Sequence, residues 1–155
     1  SVGSAIARRL RALDVQTVGI NRSGHPAAEF DQTQPTCRLD DLLPLADLVS
    51  CAMPLTAETA GLFDSVRLAK IKPGAVFVNV ARGKVTDQQA LVEALQSGQL
   101  SGAVLDVFEE EPLPRSSPLW DMEQVILTPH NSFVGEHNGE RLFRLFCKNL
   151  ESFAQ

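Results

Sequence analysis

The sequence predicts an α/β chain built as a doubly wound parallel sheet with helices on both faces. Three observations predict it. Segments of strand character alternate with segments of helical periodicity along the chain, an order that implies a parallel sheet covered on both sides. Four consecutive strand-like segments finish in a polar or reactive residue, and in open α/β sheets ligands bind at the carboxyl ends of the strands. The chain has 155 residues, 44% of them hydrophobic, which is the size of one domain with a sizeable core.

Ser1-Val2-Gly3 leads at once into a helix with Val2, Ile6, Leu10 and Leu13 on one face and Arg8, Arg9 and Arg11 outside that stripe. A helix that opens the chain implies a strand and a turn upstream of it, since an α/β unit delivers its helix from a strand. Residues 16–20 read as a short strand running into Asn21-Arg22-Ser23-Gly24, and the polar, proline-containing stretch 25–38 reads as a connection. Leu39, Leu42, Leu43 and Leu45 mark a short helix over 39–46. An apolar strand over 48–53 is stopped by Pro54, and a helix follows over 65–71.

Lys72-Pro73-Gly74 is a turn signal that opens the clearest strand of the chain, with Val76, Phe77, Val78 and Val80. That strand ends abruptly at Arg82, where a buried strand meets solvent and a planar cation is placed to receive a carboxylate or phosphate. Thr86, three residues before Gln89, reads as the capping box of a helix that buries Ala90, Leu91, Ala94 and Leu95 and closes at Gly98. A strand over 102–108, an acidic, proline-rich loop over 109–118 and a strand over 125–128 before Pro129-His130 complete the alternation. The last helix spans 138–153, and no internal repeat is visible.

A formal charge of −5 gives no electrostatic reason to expect nucleic acid or an anionic membrane as a partner, which favours a small molecule. Cys37, Cys51 and Cys147 are odd in number and widely spaced, with no CxxC and no histidine at metal-ligand spacing. They read as ordinary buried or half-buried thiols of a reducing cytosol, with no metal. The absence of a long apolar run or a signal-peptide core leads to the expectation of a soluble, cytoplasmic protein.

Six segments carry a resemblance. They are Ser1-Val2-Gly3, Asn21-Arg22-Ser23, Met53-Pro54-Leu55-Thr56, NVARG at 79–83, DVFEEEP at 106–112 and LTPHNS at 127–132. With them the chain resembles the cofactor-binding domain of the D-isomer-specific 2-hydroxyacid dehydrogenases, a Rossmann-type fold, over nearly its whole length. Gly3 matches the last glycine of the family's G-x-G-x-x-G, with Ser1 and Val2 at the two preceding positions, so that the first strand and first two glycines are missing. The resemblance therefore implies a domain over 1–155 truncated at its N-terminus, whose helix 138–155 returns towards an absent substrate domain. As a fragment, the chain is expected to turn over slowly or not at all.

Where the family reads its cofactor at the end of the second strand, an acid would bind the ribose hydroxyls of NAD; Asn21-Arg22-Ser23 instead offers a cation and a hydroxyl, which suit the 2′-phosphate of NADP. The resemblance assigns catalysis to three residues. Arg82 holds the substrate's carboxylate and carbonyl oxygen, His130 protonates that oxygen, and Glu111 is the acidic partner of His130. A carboxylate beside an imidazole favours its charged form and keeps the donor loaded. Glu109 and Glu110 compete for that position, but only Glu111 has the family's spacing from Asp106, itself expected near the nicotinamide. Cofactor contacts are implied for Ser1, Val2, Gly3, Asn21, Arg22, Ser23, Pro54, Val80, Ala81, Arg82, Asp106, His130 and Ser132. His25 and His137 read as surface residues.

Glutamate rather than glutamine at 111 resembles the 2-hydroxyacid dehydrogenases more than the related formate dehydrogenases. The implied reaction is hydride transfer between NAD(P)H and a small 2-oxo acid, in a homodimer, and with NADPH as donor analogy points to reduction of glyoxylate or hydroxypyruvate. A nucleotide-sensing or corepressor-like interaction module on the same fold is the alternative.

Overall fold

Every strand pairing is parallel in the computed structural model, which describes residues 1–132 and 134–153. Two sheets form. β1 (Val18–Asn21) pairs with β2 (Gln32–Pro35), and β3 (Leu48–Cys51), β4 (Ala75–Asn79), β5 (Leu100–Leu105) and β6 (Val125–Leu127) line up in that order. Between and around them lie α1 (Val2–Arg11), α2 (Leu39–Leu42), α3 (Ser65–Lys70), α4 (Gln88–Gln96) and α5 (Asn138–Phe153). The alternating parallel α/β plan is the one expected from the sequence.

The core lies against one face of β4. Ala75, Phe77 and Asn79 are fully buried while Val76 and Val78 are half-buried, the period-2 alternation of a pleated strand. Phe77 meets Phe63 edge to face, with ring centroids 5.2 Å apart. Leu68 and Ile71 from α3 and its end, and Leu91 and Leu95 from α4, close around them with Leu100 and Leu105 of β5.

Several sequence expectations are corrected. The stretch 25–38 is not only a connection: Gln32–Pro35 forms β2, in register with β1 from Val18↔Gln32 to Asn21↔Pro35. Its polar residues carry no strand signal, and its pairing is set by backbone bonds and by Asp31, which accepts from the Thr17 amide at 2.8 Å and hydroxyl at 2.9 Å and pairs with Arg11 at 2.9 Å. The helix expected over 39–46 is broken, α2 giving way to a 3₁₀ turn over Leu43–Leu45, because Pro44 lacks an amide hydrogen.

Thr86 is not the cap of α4. Asp87 is, its carboxylate accepting from the Ala90 amide at 3.0 Å, while Thr86 turns inward and is buried. Gln89 spends its amide on Glu93, at 2.9 Å, rather than reaching back to a cap. In α1 the expected stripe is present but mostly uncovered: Ala7 is the one fully buried residue, Ile6 and Leu10 are half-buried, and Val2 and Leu13 are exposed. α5 forms over its expected length, with Leu142, Phe143, Leu145, Phe146 and Leu150 exposed. No helix among the described residues is long and apolar enough to cross a membrane.

Candidate active site

Three adjacent strands deliver the candidate residues to one edge of the sheet. β4 ends at Asn79, and the chain turns through Val80 and Ala81 to Arg82, whose Nη1 donates to the Ala81 carbonyl at 2.6 Å. The Asn79 side chain shapes this turn. Its Oδ1 accepts from the Ala81 amide at 3.0 Å, and its Nδ2 donates to the Arg82 carbonyl at 3.2 Å and the Thr86 hydroxyl at 3.4 Å. Gly83 then passes so close to the next loop that a Cβ there would stand 1.8 Å from the Phe108 carbonyl oxygen.

Beyond β5, Glu111 turns back on its own loop, Oε1 accepting from the Phe108 amide at 3.0 Å, and the Glu111–Pro112 peptide bond is cis. Beyond β6, His130 adopts a left-handed backbone, φ 51°, and its Nδ1 lies 2.7 Å from Glu111 Oε2. Burial raises the Glu111 carboxyl, but the Phe108 amide and His130 outweigh it and hold the group below the usual glutamate range. Glu111 is therefore a carboxylate at neutral pH, so the shared proton sits on Nδ1 and the imidazole donates. The expected pairing of Glu111 with His130 is present in the geometry.

The two competitors separate. Glu109 faces the first residue of α4, with Oε1 accepting from the Gln88 amide at 2.9 Å while its own amide donates to Gln88 Oε1 at 3.3 Å. Glu110 is exposed. Asp106, expected beside the cofactor, is 1% exposed and faces the protein. Oδ1 accepts from the Thr128 hydroxyl at 2.5 Å and the Asn131 amide at 3.0 Å, and Oδ2 from the Ser132 amide at 3.0 Å. Burial raises this carboxyl too, and the Ser132, Thr128 and Asn131 donors bring it below the ordinary aspartate range. Ser132 is thus engaged with Asp106.

Val2, Pro54, Val80, Ala81 and Arg82 meet around one open cavity of about 390 Å³, with Ala52, Met53 and Leu55 completing its wall. Ser1 caps α1, its hydroxyl accepting from the Ser4 amide at 3.1 Å, and no acid stands in the first turn. Asn21, Arg22 and Ser23 lie apart from this cavity, at the end of β1. Asn21 is occupied with folding its loop: Oδ1 accepts from the Gly24 amide at 2.7 Å and Nδ2 donates to the His25 carbonyl at 2.9 Å. Arg22 is exposed and lies within electrostatic reach of Glu58, whose carboxyl is lowered first by the Thr56 hydroxyl and also by Arg22.

Sequence reasoning missed Asn79, Gly83, Glu58 and the inward role of Thr86. A buried amide closing a strand, directly before a turn to arginine, is the signal that could have found Asn79. Among the described residues no cluster of histidine, cysteine or acid could hold a metal. Cys51 is buried, which pushes its thiol up, and Cys147 is half-buried, but Cys37 is exposed, a correction to the expectation of three buried or half-buried thiols.

The depressed carboxyls fix a pH response. Asp106 and Glu111 have ordinary values of 3.8 and 4.5 and lie lower in the folded protein, so their stabilising contribution is complete above those values and is lost as pH falls through the folded ones. The melting midpoint should hold between roughly pH 7 and pH 5 and drop below about pH 4. Melts followed by circular dichroism test this; a midpoint that stays level down to about pH 3 contradicts it.

Comparison with known proteins agrees with this geometry. Residues 1–132 match the family described as D-isomer specific 2-hydroxyacid dehydrogenase, NAD binding domain. Glyoxylate/hydroxypyruvate reductase B of Citrobacter koseri is 44% identical over 130 residues, 83% of this chain and 40% of that protein. Phosphoglycerate dehydrogenase from Lactobacillus plantarum superposes with a TM-score of 0.85 at 37% identity, covering 99% of this chain and 49% of that one. The NADPH-dependent glyoxylate/hydroxypyruvate reductase from Sinorhizobium meliloti, solved with NADP and sulfate, gives a TM-score of 0.78 at 37% identity over 83% of this chain and 42% of that one. The chain spans about half the length of the curated relatives it matches. By the match over residues 1–132, with the parallel α/β sheet of its solved relatives, the chain belongs to the D-isomer specific 2-hydroxyacid dehydrogenases.

Proposed function

We propose that the protein reduces a small 2-oxo acid to a D-2-hydroxy acid with NADPH as donor. The observation that carries this reading is the His130–Glu111 pair, 2.7 Å apart and presented beside the strand end that carries Arg82. The chain's own groups fit a dinucleotide. The N-terminus of the ten-residue α1 has no acid in its first turn and opens on the cavity lined by Val2 and Pro54, where an anionic pyrophosphate would meet the positive end of the helix. Gly3 keeps the backbone accessible there, the nearest atoms to a Cβ being 3.9 Å away. When bound, the reduced nicotinamide supplies a hydride to the carbonyl carbon of the substrate.

Arg82 grips the substrate's carboxylate with its planar fork and polarises the neighbouring carbonyl oxygen. Val80 and Ala81 line the approach. As the carbon–hydrogen bond forms, the carbonyl π pair moves onto oxygen, and the proton that this oxygen takes comes from Nε2 of His130. Glu111 keeps Nδ1–H bonded, so the ring faces the substrate in one orientation and its positive charge before transfer is balanced. After transfer the imidazole is neutral, and it regains its proton from solvent, to which the side chain is 37% exposed. Oxidation of the hydroxy acid reverses each move.

Arg22 supports NADPH over NADH. It is an exposed cation at the end of β1, where the 2′-phosphate of the adenosine ribose would lie. Glyoxylate and hydroxypyruvate are the substrates favoured, in line with the activities named for the relatives above, and a cytoplasmic homodimer is the working assembly. A charge-assisted hydrogen bond contributes about 1.5–3 kcal/mol, roughly a 10–100-fold preference. Fluorescence titration of the full-length protein should show NADPH binding tighter than NADH by about that factor, and Arg22→Asp should erase the difference. Equal or tighter binding of NADH by the unaltered protein rejects the cofactor preference.

A further inference from the structure

We propose that Asn79 and Asp106 are a positioning pair, joined across the β4–β5 ladder, that sets Arg82 and His130 in register with each other. The inference rests on the reductase reading above and gives Asn79, and Asp106 expected near the nicotinamide, a positioning role that the reading does not assign. Asn79 is the last residue of β4, and Asp106 directly follows β5. The Asp106 amide donates to the Asn79 carbonyl at 3.0 Å, continuing the ladder by one bond past the strands themselves. Both side chains are essentially excluded from solvent, at 2% and 1% exposure.

Each side chain is consumed by the loop that carries one catalytic group. Asn79 holds the Arg82 turn on both sides, accepting from Ala81 and donating to the Arg82 carbonyl. Asp106 holds the His130 loop on both sides, through the Thr128 hydroxyl before it and the Asn131 and Ser132 amides after it. That grip accounts for the left-handed backbone at His130, a conformation that costs a non-glycine residue free energy and persists only where the surroundings hold it. A buried carboxylate with these donors and no salt bridge to Lys or Arg among the described residues is costly to keep unless its hydrogen bonds are all made. The bond between the two backbones roots both loops in one strand pair, while each side chain holds its own loop, Asn79 that of Arg82 and Asp106 that of His130.

The test uses the full-length protein with NADPH and glyoxylate. Asn79→Asp places a carboxylate oxygen against the Arg82 carbonyl, and Asp106→Asn turns an amide towards the Asn131 or Ser132 donor; misplacement of about 1 Å costs on the order of 10²-fold in such sites. The split is diagnostic. Asn79→Asp should raise KM for glyoxylate by about 10–100-fold with kcat nearly kept, and Asp106→Asn should lower kcat by about 10–100-fold with KM nearly kept. NADPH affinity should stay within about twofold in Asn79→Asp. Equal effects on kcat and KM in both variants, or wild-type values for both constants, overturn the proposal. Where Asp106→Asn does not fold, Thr128→Val removes one of its donors and is read in the same way.

If the unaltered protein reduces no 2-oxo acid, the reductase reading fails, and the pair is judged by the proton NMR resonance of His130 Nδ1–H. Loss of that signal in Asp106→Asn and its retention in Asn79→Asp supports the pair. Its persistence in both variants rejects it.

Discussion

Replacing His130 with glutamine is expected to lower kcat for reduction of glyoxylate by roughly 10²–10⁴-fold while leaving NADPH affinity unchanged. Glutamine fills a similar volume and can still donate a hydrogen bond towards Glu111, so the loop beyond β6 has little reason to collapse. What it lacks is a proton that can leave. The oxygen that receives the carbonyl electron pair must then draw its proton from water, without the positioned donor. Glu111→Gln should be milder, because Glu111 acts through the imidazole: the ring keeps its chemistry but loses the acceptor that orients Nδ1, 2.7 Å away. Steady-state rates followed by NADPH absorbance decide the matter, and a His130→Gln variant within tenfold of the parent removes His130 from the proton-transfer step.

Gly83→Ala is expected to have the largest effect on stability. A Cβ at this position would lie 1.8 Å from the Phe108 carbonyl oxygen, 1.9 Å from its carbon and 2.5 Å from the Glu109 nitrogen. These are backbone atoms at the end of a buried segment, so no side chain can swing aside. The Arg82 and Glu111 loops must separate. Overpacking of this kind costs about 3 kcal/mol or more, which lowers the melting midpoint by roughly 6–12 °C in a protein of this size. Gly139→Ala, on the exposed face of α5 with nothing within 4 Å, serves as the control and should leave the midpoint level or slightly higher. A Gly83→Ala midpoint within 2 °C of the parent, a margin of about 1 kcal/mol, contradicts the close contact.

The sequence was readable wherever side-chain chemistry and period coincided. β4 was legible because Val76, Phe77 and Val78 are strand formers bounded by Pro73-Gly74 and ended by Arg82. α4 was legible as a helix but not at its first residue, since Thr86 and Asp87 are both good caps and only the demand of buried Asn79 for an acceptor draws Thr86 inward. β2 escaped because Gln32–Pro35 has no apolar pattern; its partner and Asp31, not its own side chains, make it a strand. In the site, Glu111 was told from Glu109 by spacing alone, and the structure supplies the physical ground: one carboxylate faces His130 and the other the N-terminus of α4. Asp106 was placed near the nicotinamide by resemblance alone, which says nothing of its hydrogen bonds. Its three donors arrive from residues 128–132, over twenty positions later, and no local pattern reveals them.

The backbone bond from Asp106 to Asn79 also has a consequence in time. The Asp106 amide closes the ladder between the two central strands of the four-stranded sheet and should exchange its hydrogen more slowly than amides of loops and termini, which fray at far smaller cost. The geometry between Arg82 and His130 is anchored to that end of the two central strands. Ordinary breathing of the surface therefore does not blur it, and on heating the arrangement should survive unchanged until the sheet lets go, so that loss of the site and loss of the fold are one event.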